Sequence, residues 1–218
     1  MFRSFSVVLA SFVCVGAVIG ETPTAPDSSA TPTGFQVHEQ APEGTADVYE
    51  FYRSTFGFVP NLAKVMASSP SLLKSYVDTQ NNLKASGNLT QAEINVVQMA
   101  IAVENKCEYC TAGHTMAGKM FFKTPMDVMQ QVRMRQAMKE PKLNALRNFA
   151  ILVYARRGEV GANDFQQFLD AGYTRAQALD VVACVAAKVM SNYTNSLAKT
   201  PIDAPLLPLT DGLPFAAK

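Results

Sequence analysis

The chain has 218 residues, of which 48% are hydrophobic, and this apolar content is enough to build one substantial core. Its 19 basic and 18 acidic residues nearly cancel, and long basic runs are absent. This balance argues against binding to nucleic acid or to an anionic membrane surface.

The first twenty residues are typical of a secretory signal peptide. Arg3 is their only charge, and an apolar run follows it over residues 5–19. The small residue Gly20 predicts cleavage before Glu21, so we expect an exported protein, periplasmic or secreted, that has no membrane association after cleavage. The alternative is an uncleaved anchor, because roughly 18 apolar residues are the lower limit for a membrane span.

The segments at the two ends of the mature chain are rich in proline. Residues 21–34 consist of Pro, Thr, Ser, Ala and Gly apart from Glu21 and Asp27. Such a composition buries too little surface to order itself, so we predict a disordered linker over residues 21–44. The tail, residues 200–218, is predicted to lie as an extended arm across the body or a neighbouring subunit.

Between these segments, residues 45–199 show the periodicity of amphipathic helices and no convincing strand, which predicts an all-α domain. Capping signals mark several starts, such as the capping box formed by Thr90 and Glu93. That helix is expected to run from Gln91 to about Glu104 and to deliver the chain to the first cysteine of the domain. The other predicted helices begin at Thr45, near Leu62, at Pro70, after Cys107, and at Pro125, Pro141, Asn163 and Thr174.

Cys107, Cys110 and His114 form the main chemical constellation of the sequence. Residues at i, i+3 and i+7 lie near one face of a helix, so the three side chains can meet if the segment is helical. A helix N-terminus stabilises a thiolate, and an imidazole titrates near neutral pH. We therefore expect Cys110 to be a redox nucleophile, Cys107 the resolving thiol and His114 their acid–base partner.

Three other interpretations of these residues remain open. Zinc could bind at Cys107, Cys110 and His114, but zinc sites usually have two pairs of closely spaced Cys or His ligands, and the sequence lacks the second pair. A structural disulfide would close a loop too short to add much stability. An inert buried pair leaves the histidine unexplained. We predict no metal and no cofactor, and we expect Cys184, on an apolar helix, to be a core residue.

The stretch ENKCEYCTAGH, residues 104–114, resembles the signature of the carboxymuconolactone decarboxylase and alkyl hydroperoxidase D superfamily. Two further stretches, FGFVPN at 56–61 and SNYTN at 191–195, resemble its peroxidase-related branch. The similarity covers roughly residues 46–203. It implies an alkyl hydroperoxidase D-like helical bundle that commonly forms a homo-oligomer.

The resemblance also implies roles for the residues of the motif. Cys110 would attack a hydroperoxide, Cys107 would resolve the product as a disulfide, and His114 would relay protons. The glutamate of the family, twelve residues before the first cysteine, falls on Asn95, which cannot act as a base. Glu93, Glu104 or Glu108 would have to replace it, and Glu104, three residues before Cys107, is the first choice.

The function implied is that of a thiol-dependent peroxidase, an antioxidant enzyme that reduces hydroperoxides and is recycled by an unidentified dithiol donor. An exported protein needs such a donor in an oxidising compartment. One alternative is a carboxymuconolactone decarboxylase-type enzyme, which needs no cysteine pair and calls for basic residues in its pocket. Another is a non-catalytic oligomeric binding protein, which the replacement of the family glutamate by Asn95 favours.

Overall fold

A computed structural model describes residues 30–215 of the chain. Within this range the secondary structure is helical, with an isolated antiparallel bridge between Ala30 and Gln36 and no strand, which confirms the all-α prediction. Among the same residues, no helix combines the length and apolar character that a membrane crossing requires. The predicted signal peptide and the first part of the predicted linker lie outside the described residues.

The helices of the described range follow each other with short connections. They are α1 (Ala46–Phe56), α2 (Asn61–Met66), α3 (Pro70–Ser86), α4 (Gln91–Glu104), α5 (Glu108–Ala117), a π-helical turn (Gly118–Phe122), α6 (Met126–Arg133), α7 (Pro141–Ala155), α8 (Ala162–Asp170), α9 (Arg175–Ala198) and a 3-10 helix (Ala204–Leu209).

The predicted capping signals do form. Thr90 and Glu93 make both hydrogen bonds of a capping box at the start of α4, and Thr174 makes the same motif with Gln177 at the start of α9. These bonds satisfy backbone N–H groups that have no partner inside the helix. The starts of α4 and α9 are therefore encoded by residues within their own first turns.

The central helix of the bundle is α4, which packs against α5, α6, α7 and α9. All ten residues from Ile94 to Val103 are buried. A helix that is buried on every side is stable only when other elements surround it. The helix α4 therefore packs against α5, whose first turn carries the cysteine motif, and against α9.

Residues 30–44 are ordered against the helical body, which corrects the prediction of a disordered linker for this part of the segment. The Thr33 hydroxyl donates to the carbonyl oxygen of Ala198 at 2.7 Å, and the Tyr49 hydroxyl donates to the carbonyl oxygen of His38 at 2.8 Å. Side-chain hydrogen bonds to the main chain order a segment whose composition offers little apolar surface.

Residues 200–215 lie across the bundle, and part of this tail is a 3-10 helix where the sequence predicted an extended arm. The Asp203 carboxylate accepts hydrogen bonds from the Asn61 N–H group, at 3.0 Å, and from the Tyr109 hydroxyl. Since Tyr109 stands between the two cysteines of the motif, the tail holds the start of α5 from the outside.

Candidate active site at the start of α5

Cys107 is the N-cap residue of α5, and Cys110 lies in the first turn of that helix. The N–H group of Cys110 donates to the Cys107 sulfur at 3.4 Å, so the two thiols lie together at the positive end of the helix dipole. Cys107 is partly exposed and Cys110 is buried, and both are present as free thiols. The structure therefore brings together the pair that the spacing predicted.

The two thiols differ in their tendency to ionise. Burial alone would raise the pKa of Cys110, but the Cys107 thiol, the charge of Lys188 and hydrogen bonds from Asn195 and Ser191 lower it to about 6. The hydrogen bond to Cys110, together with burial, raises the pKa of Cys107 above its ordinary value. At neutral pH, Cys110 is then mainly a thiolate and Cys107 a thiol that donates to it.

His114 is buried and has a polar partner on each ring nitrogen. Its Nδ1 lies 3.0 Å from the Asn95 Oδ1 atom, and its Nε2 lies 2.9 Å from the Lys188 Nζ atom. Burial, followed by the charge of Lys188, holds the pKa of His114 well below its ordinary value. The ring is thus neutral, donating from Nδ1 to Asn95 and accepting at Nε2 from Lys188.

This arrangement changes the expected contact between the histidine and the nucleophile. Both ring nitrogens of His114 are engaged by other residues, and Lys188 is the group that both contacts His114 and stabilises the Cys110 thiolate. The lysine therefore connects the imidazole to the thiol electrostatically, in place of the direct proton exchange that the sequence suggested.

Asn95, at the position of the family glutamate, and Glu104, its expected substitute, lie on different sides of α4. Asn95 points to the site, donates from Nδ2 to the Thr124 hydroxyl at 3.1 Å and orients His114. Glu104 pairs with Arg135 at 3.6 Å and lines a separate cavity. Nine residues are about two and a half helical turns, which places the two side chains on opposite faces. The prediction that Glu104 substitutes in the relay is not supported by this placement.

Three residues of α9 complete the site, and the sequence analysis assigned them no role. They are Lys188, Ser191 and Asn195, which share the buried face of the helix with Cys184. The Asn195 Nδ2 atom lies 3.2 Å from the Cys110 sulfur and 3.9 Å from the Cys107 sulfur. A signal was present in the sequence, because polar residues at helical spacing interrupt an otherwise apolar helix.

A cavity of ≈ 330 Å³ borders Cys110, His114 and Lys188. Among the described residues that line it, none is acidic, and the charged ones are Lys84 and Lys188. Cys107 does not line the cavity, so a molecule inside it meets Cys110 first. Most of the wall is apolar, and its phenylalanines are Phe51, Phe56, Phe58, Phe121 and Phe122.

The described residues contain no group of three or more His, Cys, Asp and Glu side chains that could hold a metal ion. The zinc interpretation of the motif requires a fourth ligand beside Cys107, Cys110 and His114. The neighbours found there are instead the ammonium group of Lys188 and the amides of Asn95 and Asn195. The site has the character of a thiol centre with a buried cation.

Comparisons with known proteins bear on the family and on the fold. Residues 70–152, which extend from the start of α3 into α7, match the model of the carboxymuconolactone decarboxylase family. This match confirms the resemblance that the cysteine motif predicted. The search of curated proteins gave no match.

Several solved structures share the fold. The alkylhydroperoxidase AhpD core of an uncharacterized peroxidase-related protein from Ralstonia eutropha JMP134 is 23% identical, with a TM-score of 0.65 over 77% of this chain and 92% of that one. An uncharacterized peroxidase-related protein from Silicibacter sp. TM1040 is 21% identical, with a TM-score of 0.70 over 83% and 95%. The debrominase Bmp8 in complex with 2,3,4-tribromopyrrole is 16% identical, with a TM-score of 0.65 over 87% and 100%.

Proposed function

From the premise that residues 70–152 carry a carboxymuconolactone decarboxylase family domain, we propose that the chain is a thiol-dependent peroxidase. The Cys107–Cys110 dithiol reduces an organic hydroperoxide to the alcohol and is itself oxidised to a disulfide. An external dithiol donor of unidentified structure then restores the two thiols.

The observation that carries this proposal is a buried cysteine, Cys110, that borders a largely apolar cavity and has a second thiol beside it. The pKa of the Cys110 thiol is lowered by the Cys107 thiol, by the charge of Lys188 and by hydrogen bonds, which together outweigh the effect of burial and favour the thiolate. The thiolate is the reactive form of cysteine, and hydrogen bonds at the positive end of a helix are a recurrent way to stabilise it. The aromatic wall of the cavity suits a hydroperoxide with an apolar body.

The reaction balances with the groups that are present. The Cys110 thiolate attacks the distal oxygen of the hydroperoxide, the S–O bond forms, the O–O bond breaks, and the electron pair leaves on the alkoxide. The Lys188 ammonium group, held by His114, donates the proton that makes the alcohol. Cys110 is then a sulfenic acid.

The second step uses Cys107. Its sulfur attacks the Cys110 sulfur, the S–S bond forms, and the hydroxyl group leaves with the Cys107 proton as water. The sum is one hydroperoxide and two thiols giving one alcohol, one water and one disulfide.

Thiol counting on the full chain tests the proposal. The reduced protein is mixed with cumene hydroperoxide, and free thiols are titrated against time. We expect two thiols to be lost per hydroperoxide. Cys110→Ser should abolish the reaction, and Cys107→Ser should stop it at a Cys110 sulfenic acid that a dimedone label detects.

Cys184→Ser is the matched control, because Cys184 is a buried cysteine of α9 whose pKa is raised to about 12 by burial. This variant should react like the wild type. Oxidation no faster than that of free cysteine, or equal loss of thiols in Cys110→Ser, would overturn the peroxidase proposal.

A decarboxylase-type activity is the second candidate, because the cavity contains the basic residue that such chemistry requires. Lys188 is 1% exposed and faces His114 in an apolar surrounding, where an ammonium group can bind a substrate carboxylate. This activity would survive Cys110→Ser and Cys107→Ser and would be lost in Lys188→Met. The three variants are incubated with a carboxylated lactone, and turnover is measured as the release of carbon dioxide. The result separates the two candidate functions.

A further inference from the structure

Asn195 occupies an unusual place between the two thiols. Its side chain is 7% exposed, and its Nδ2 group faces the Cys110 sulfur at 3.2 Å and the Cys107 sulfur at 3.9 Å. A thiolate carries no proton, so only the N–H end of the amide can pair with it. Asn195 is therefore in contact with the reacting atom of the proposed peroxidase.

The other end of the same amide has no partner. Asn195 Oδ1 is a buried oxygen for which the described residues supply no hydrogen-bond donor. Buried acceptors are almost always satisfied in folded proteins, and an unsatisfied one raises the free energy of the folded state. This open oxygen belongs to the same amide whose N–H group contacts the Cys110 sulfur. It is therefore suited to a hydrogen-bond donor that forms on that sulfur only during the reaction.

We propose that Asn195 is a catalytic residue that serves both chemical steps: its N–H group stabilises the Cys110 thiolate, and its free oxygen accepts the hydroxyl proton of the Cys110 sulfenic acid. This inference rests on the proposed peroxidase function. The sulfenic acid has the O–H donor that the thiolate lacks, so the N–H end of the amide is paired before the O–O bond breaks and its oxygen gains a partner afterwards.

The contact also bears on the second step. Attack by Cys107 requires that the hydroxyl group of the sulfenic acid leave from the side of the Cys110 sulfur opposite the new S–S bond. A hydrogen bond from that hydroxyl to Asn195 restricts the rotation of the hydroxyl group about the Cys110 sulfur. Losing the amide should therefore slow formation of the disulfide as well as formation of the sulfenic acid.

The test uses the isosteric substitution Asn195→Leu in the full chain. The pKa of Cys110 is measured from the pH dependence of thiolate absorbance, and the rate of thiol loss is measured with cumene hydroperoxide. We expect a higher pKa of Cys110 and a rate at neutral pH that falls by roughly tenfold or more, as for loss of one donor to a developing anion. Should Asn195→Leu not fold, Asn195→Asp removes the same N–H donor and retains the shape.

Asn192→Leu is the matched control. Asn192 lies on the same helix, is 1% exposed and also has an unpartnered Oδ1 atom, but its Nδ2 group faces the Ile101 carbonyl oxygen at 3.5 Å and no sulfur. It should keep the pKa of Cys110 and the rate of the wild type. An equal loss of rate in both variants means general damage to the helix and overturns the role of Asn195.

The outcomes separate this inference from the proposed function. If wild-type Cys110 reacts rapidly and Asn195→Leu matches it in both pKa and rate, the role of Asn195 is wrong and the peroxidase proposal stands. If the wild-type thiols are inert to hydroperoxide, both are overturned. A raised pKa and a slowed reaction confined to the Asn195 variants support the inference.

Discussion

At the scale of single residues, Lys188 is the group on which the chemistry of the site depends. Its ammonium group is buried, is 2.9 Å from the Nε2 atom of His114, and lowers the pKa values of both His114 and Cys110. Isolated cations are rarely buried because their desolvation is costly. The Cys110 thiolate provides the compensating negative charge, so each of the two ions stabilises the other.

Replacing this cation by an apolar residue of similar length gives a prediction with a definite sign. Lys188→Met removes the positive charge that stabilises the thiolate, so the pKa of Cys110 should rise from about 6 by roughly 1–3 units. The pH profile of alkylation by iodoacetamide should shift to higher pH, and the reaction at pH 7 should slow.

Lys84→Met is the matched control for this prediction. Lys84 lines the same cavity but is not among the groups that shift the pKa of Cys110. An unshifted alkylation profile in Lys188→Met, or an equal shift in both variants, would contradict the role given to the buried lysine.

At the scale of an element, the connection after α5 shows why the motif needs a particular local structure. The α-helix α5 ends at Ala117, and a π-helical turn follows it. Such turns are often found at functional sites. Here the turn brings the Thr124 hydroxyl to Asn95, which fixes the orientation of the amide that holds His114.

Gly118 permits this close approach. A Cβ atom at that position would lie 2.5 Å from both the Asn95 Nδ2 atom and the Met129 sulfur. Gly118→Ala should lower the free energy of unfolding by about 1–3 kcal/mol through overpacking. Chemical denaturation followed by circular dichroism measures the change.

Gly113→Ala is the control for the same substitution within α5. A Cβ atom at Gly113 meets nothing within 4 Å, so the change should be neutral or stabilise the protein by roughly 0.5–1 kcal/mol. Equal stability of the two variants would show that the approach of Asn95 to the π-helical turn is not tight.

At the scale of the whole molecule, the C-terminal arm closes the fold over the start of α5. The Asp203 carboxylate binds the Tyr109 hydroxyl and the Asn61 N–H group, and the buried Arg133 donates to the carbonyl oxygens of Leu209 and Asp211. These contacts tie the end of the chain to α2, α5 and α6. The arm thereby fixes Tyr109, one of the two residues between the cysteines.

Asp203→Ala should therefore loosen the arm and destabilise the fold. It leaves the Tyr109 hydroxyl and the Asn61 N–H group without their acceptor, at a cost of about 1–3 kcal/mol in the free energy of unfolding. Denaturant titration measures the loss, and limited proteolysis should cut the arm faster. In the control Asp211→Ala the contact to Arg133 is retained, because it uses the main-chain oxygen. Equal stability of the two variants would contradict this account.

Other features of the whole molecule remain predictions. Export, recycling by an external dithiol donor and assembly into a homo-oligomer were inferred from the leader sequence and the family resemblance. Exposed apolar residues on α9, among them Leu179, Val182 and Leu197, are consistent with contact to a second copy of the chain.

What the sequence by itself determined is local in character. The capping boxes of α4 and α9, the all-α architecture and the meeting of Cys107 with Cys110 follow from spacing within one helix or one turn. The family match over residues 70–152 was also predictable, because it is carried by a contiguous motif.

The tertiary structure alone decided which distant groups surround that motif. Lys188 and Asn195 are 74 and 85 residues away in sequence from His114 and Cys110, and no local pattern specifies that α9 crosses the start of α5. Glu104 was chosen for its nearness in sequence, yet it lies on the opposite face of α4 from Asn95. The side chains that set the pKa of Cys110 are brought to it by the packing of helices, since burial and charge depend on position in space.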